Sequence, residues 1–115
     1  MVNKKNITVI TAKKKCSAVL ADFSLFTMTR LYLAGDDSVR ALESINKMET
    51  DFSESYYFPY SLKEKADILL KQNKKADEGY TIYRHLLENF PNYPFIPEIR
   101  KILRAVSEAK LNQNS

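Results

Sequence analysis

Apolar side chains along this 115-residue chain recur at three- and four-residue steps, the period of a helix with one buried face. Five segments carry that period. The first covers about 17–34, where Val19, Phe23, Phe26 and Arg30 or Leu31 fall in step. Met28 adds a second apolar face there, which predicts burial between neighbours. The second covers 37–51 through Val39, Leu42, Ile45 and Met48. The third covers 58–72 with a stripe of Leu62, Ala66, Leu69 and Leu70, and Pro59 sits in its first turn, where a missing N–H is no loss. The fourth covers 75–89, with Ala76, Gly79, Tyr80, Tyr83, Leu86 and Leu87 on its buried side. The fifth covers 97–110, opens on Pro97 and turns Ile99, Ile102, Leu103 and Val106 inward.

Punctuation between these segments is helical too. Gly35 suits a left-handed cap after the first helix, and Asp36 or Asp37 can cap the second. Asn73 can take the left-handed conformation in the turn before the fourth helix. Only two glycines and four prolines occur, too few for the tight turns of a sheet protein. "NITVIT" (6–11) is strand-like, but no partner strand follows it. The expected organisation is a basic arm at 1–16, an all-α domain at 17–110 and a polar tail at 111–115.

A shift of 38 residues superposes the landmarks without a gap. Ala41 falls on Gly79, Ile45 on Tyr83, Met48 on Leu86, Phe52 on Phe90 and Pro59 on Pro97. The unit is helix, short turn, helix, then an aromatic and proline connector. Small residues at Ala41, Ala66 and Gly79 let neighbouring helices approach closely, and large ones such as Ile45, Leu69 and Tyr83 fill the space beside them. One such hairpin cannot bury both faces alone, so units stack.

In this the chain resembles the tetratricopeptide repeat family, the α-solenoid of helix hairpins, over about residues 24–110. The second unit matches better: Leu62, Ala66 and Leu69 fall at first-helix positions, Asn73 at the turn, and Gly79, Tyr83, Leu86 and Pro91 at second-helix positions. In the first unit Met28 stands where a small residue is usual, and Ser53 replaces the proline. "ENFPNYPFIPEIRKIL" also looks like the connectors of bacterial repeat proteins of the Tol-Pal coordinator and outer-membrane assembly groups. The resemblance implies a short stack of antiparallel hairpins, about five helices, whose groove receives a protein or peptide. It places Leu25, Thr29 and Tyr32 on the first helix, and Lys63, Asp67 and Lys71 on the third, toward that groove. These residues lack the lysine and asparagine set that clamps a terminal carboxylate, so chaperone-tail binding is not expected.

Charge is uneven. Residues 1–21 hold five lysines and no acid, while the remainder holds 13 basic and 14 acidic side chains, so the net +4 comes from the arm. The arm is a candidate for nucleic acid, but it lacks arginine and interleaved aromatics, which disfavours that reading. One cysteine, Cys16, excludes an internal disulfide, and no stretch is apolar enough to span a membrane; a cytoplasmic protein is the expectation. His85 is the single histidine, so neither a two-histidine metal site nor a hydrolytic triad can be assembled, and neither enzyme activity nor a cofactor is expected. The run "SYYFPYS" offers Tyr56 and Tyr60 as interface tyrosines, with Tyr57 and Phe58 assigned to packing. An adaptor that binds another protein is therefore the leading expectation. A homodimer through the first helix, which no hairpin precedes, is the alternative.

Overall fold

The structure, a computed structural model, describes residues 21–72 and 74–113. Among these residues there are five helices and no strand. They are α1 (described over 21–34), α2 (Ser38–Asp51), α3 (Phe58–Leu70), α4 (Ala76–Asn89) and α5 (Ile96–Gln113). The lysine arm, Cys16, the strand-like 6–11, Val19 and Asn73 lie outside the described residues. The chain divides into two compact units, Met1–Phe58 and Pro59–Ser115.

In the first unit, α1 ends in a Schellman turn. The Asp37 N–H donates to the Tyr32 carbonyl (2.8 Å) and the Asp36 N–H to the Leu33 carbonyl (3.1 Å). The left-handed residue is Asp36 (φ 60°), not Gly35 as the sequence suggests. The helix runs one step further than a cap at Gly35 requires, because the Gly35 N–H still donates to the Leu31 carbonyl (3.0 Å). Aspartate is one of the few residues that tolerates that conformation. Asp37 then caps α2, its carboxylate accepting from the Arg40 N–H at 3.1 Å. Helix α2 buries Ala41, Ser44, Ile45 and Met48. Val39 projects from its far side and is exposed, contrary to the stripe drawn through it.

The connector after α2 is held by three backbone bonds: Phe52 N–H to Met48 (2.9 Å), Ser55 N–H to Phe52 (3.0 Å) and Phe58 N–H to Ser55 (3.1 Å). The Ser55 hydroxyl donates to the Asp22 carboxylate and accepts from the Tyr57 N–H (3.0 Å), tying the connector to the start of α1. Tyr57 stacks on Phe26 with centroids 5.2 Å apart and leans on Phe23 at 5.5 Å.

In the second unit, α3 and α4 come close enough at Gly79 that any Cβ there would lie 2.9 Å from Leu70 Cγ and 3.0 Å from the Ala66 carbonyl oxygen. This is the close approach expected of the small residues. The connector after α4 repeats the earlier bonds 38 residues on: Phe90 N–H to Leu86 (2.8 Å), Tyr93 N–H to Phe90 (3.4 Å) and Ile96 N–H to Tyr93 (3.2 Å). Helices α2 and α4 have the same length and stand at the same spacing. Where the first unit uses the Asp22–Ser55 bond, the second places Tyr60 against Tyr93 (5.3 Å) and Phe95 (5.4 Å). Helix α5 packs on α4 and buries Ile96 and Ile99. It runs to Gln113, so it takes in residues 111–113 of the expected tail.

Candidate functional site

Two surfaces stand out, one in each unit. The first is a face of α1. Phe23, Thr27 and Leu31 follow four-residue steps, with Ser24 and Met28 in the row beside them, so all five share one side of the helix. All five are exposed, and the large apolar members keep much of their surface in water: Phe23 48%, Met28 44% and Leu31 66%. The Thr27 hydroxyl is spent on the Phe23 carbonyl at 2.9 Å. No residue of the face carries a charge.

That orientation reverses the expectation for α1. Leu25 and Thr29, placed toward a groove by the resemblance, are buried, and the Thr29 hydroxyl bonds back to the Leu25 carbonyl (2.9 Å). Neither can meet a partner. A size argument accounts for the reversal. In α3 the register Leu62, Ala66, Leu69 is buried; the same register in α1 is Ser24, Met28, Leu31, and it is exposed. Ala66 permits a close helix approach because its side chain is one methyl, whereas methionine at that point holds helices apart. Tyr32 is half-buried, and Tyr56 is exposed with its ring edge on Tyr57 at 5.4 Å.

The second surface is a polar cluster on α3, α4 and α5. Lys63 Nζ lies 2.9 Å from Asp67 Oδ2 and 3.8 Å from Glu98 Oε2. The Tyr83 phenol donates to Asp67 Oδ1. Asp67 thus accepts on both oxygens. Burial pulls the Lys63 ammonium down, but the bond to Asp67 and the charges of Asp67, Glu98 and Glu64 outweigh it and leave the pKa above its usual value. Burial, then the bond to Asp67, pushes the Tyr83 phenol well above its usual range. A lysine held protonated is no nucleophile, and a phenol held protonated is no base. The cluster does charge pairing, not covalent chemistry. One turn away, the buried Ser61 hydroxyl has no hydrogen-bond partner.

Of the remaining candidates, Tyr60 is half-buried against the Tyr93 and Phe95 rings, and Lys71 is exposed in the turn after α3, its N–H donating to the Ile68 carbonyl (3.2 Å). The structure therefore joins Lys63 to Asp67, and adds Tyr83 and Glu98, which no local pattern linked to them. His85 is exposed, faces Asn89 (3.1 Å) and lies 6.2 Å from the Phe90 ring. Among the described residues no group of histidine, cysteine and carboxylates is placed to hold a metal, and no helix is long and apolar enough to cross a membrane. Comparison with protein-family models, with curated proteins and with solved structures finds no match to this chain.

Proposed function

We propose that the protein is a non-enzymatic interaction module that docks another protein on the exposed face of α1. The observation that carries this reading is the contiguous, uncharged face of Phe23, Met28 and Leu31, left in water although the core beside Ala41, Ile45 and Met48 is closed. An apolar row on a helix is the usual substrate of helix-to-helix docking. The tetratricopeptide-like stacking belongs to the same proposal. The identical connector bonds at a spacing of 38 residues support it; the face that α1 buries departs from it. Lys63 and Asp67 serve chiefly to hold α3, α4 and α5 together.

The test is affinity purification from source cells with the wild-type chain and with Phe23→Ser/Leu31→Asp, each checked for unchanged helicity. The proposal expects a protein retained by the first and lost by the second. The same set retained by both would refute it. Self-association through α1 rests on the same face, and sedimentation separates it by a dimer that the double substitution dissolves.

A further inference from the structure

We infer that the α1 face takes an acidic amphipathic helix of a partner protein, an inference that rests on α1 being the docking surface. The shape of the face comes first. Two parallel rows, Phe23–Thr27–Leu31 and Ser24–Met28, run over about two helical turns, matching the apolar stripe of a second helix rather than an extended strand. Charge decides the class. Lys4, Lys5, Lys13, Lys14 and Lys15 are joined directly to the start of α1, with no acid before Asp22, while the rest of the chain is close to neutral. A partner helix with apolar residues on one side and carboxylates along its flanks satisfies both features at once.

The competing occupants fit less well. Two copies paired through α1 bring two identical five-lysine arms together, a like-charge contact that opposes the apolar gain. An anionic bilayer suits the arm, but interfacial helices carry lysine and arginine on their polar side. Over 21–34, α1 has Arg30 alone, and carboxylates stand at its ends in Asp22, Asp36 and Asp37. Nucleic acid gains nothing from an uncharged face.

The experiment titrates the full chain with two synthetic peptides of about 18 residues, long enough for five helical turns. Both carry leucine at heptad a and d positions; one has glutamate at the flanks and the other lysine. Fluorescence anisotropy is expected to show the acidic peptide binding about tenfold more tightly at low salt, the gap closing as salt rises. Leu31→Asp should abolish binding of the acidic peptide. Replacing the five lysines by glutamine should weaken it on the order of tenfold. Equal or better binding of the basic peptide, an unchanged affinity without the lysines, or binding to phosphatidylserine vesicles but not to the acidic peptide would each overturn the inference. If cellular capture still depends on Leu31 while the acidic peptide fails, the acidic class falls and α1 docking stands. If capture ignores Leu31, both fall. Circular dichroism of Leu31→Asp guards against misfolding, which its exposed position makes improbable.

Discussion

Gly79→Ala is the sharpest probe of how closely α3 and α4 approach. By propensity alone the substitution stabilises α4 by about 1 kcal/mol, since glycine is the costlier residue inside a helix. The local geometry opposes it. The new Cβ would stand 2.9 Å from Leu70 Cγ, 3.0 Å from Leu70 Cδ2 and 3.0 Å from the Ala66 carbonyl oxygen. The leucine contact involves a branch carbon close to the backbone, and the carbonyl belongs to a helix, so neither can move aside cheaply. Overpacking of this kind costs about 1–3 kcal/mol, and the balance is a net loss of about 1–2 kcal/mol. Urea denaturation of wild type, Gly79→Ala, Leu70→Ala and the double variant measures it. Removing the Leu70 branch should relieve part of the clash, so the Gly79→Ala penalty should shrink by about 1 kcal/mol in that background. A Gly79→Ala chain as stable as wild type would refute the close approach, and an unchanged penalty without Leu70 would refute its assignment to that side chain.

Three further outcomes are expected. At the α1 turn, Asp36→Gly should stabilise by about 0.5–1 kcal/mol because Asp36 holds the left-handed conformation. Gly35→Ala should also be tolerated, its Cβ meeting only carbonyls at 3.6 and 3.7 Å; loss of stability in both, read by thermal melts, would place the cap at Gly35. Tyr83→Phe removes a bond to a carboxylate and should cost about 1.5–3 kcal/mol at neutral pH. Tyr83 and Lys63 hold their protons more tightly folded than unfolded, so their stabilisation is complete below ordinary values of 10.0 and 10.5 and is lost as pH rises beyond them. The wild type should therefore weaken above about pH 10 more steeply than Tyr83→Phe, as denaturant titrations at several pH values would record. Ser61→Ala removes a buried hydroxyl without a partner and should raise stability by up to about 1 kcal/mol in the same denaturation assay.

Much of the helical framework was legible because its signals are local. Periodicity located all five helices, Pro59 and Pro97 fell in first turns, and the 38-residue spacing of Phe52 and Phe90 matched two connectors with the same bonds. The Lys63–Asp67 pair follows from their four-residue separation on one helix. What escaped depends on neighbours. Phe23, Phe26, Met28 and Leu31 are spread around α1, so its pattern cannot choose a buried side; tertiary packing chose Leu25 and Thr29. The Tyr83–Asp67 bond joins residues of different helices, and Glu98 enters from a third, beyond the reach of any period. Gly35 drew the left-handed assignment by residue type, but helix length moved it to Asp36.

The docking role of α1 is tested most directly by site-specific photo-crosslinking in source cells. A benzophenone side chain replaces Leu31 on the exposed face of α1 or, as a control, Arg104 on an exposed face of α5. The account expects an adduct with a different protein from position 31 and none from position 104. No adduct at 31, or one whose mass is twice that of the chain, would contradict it.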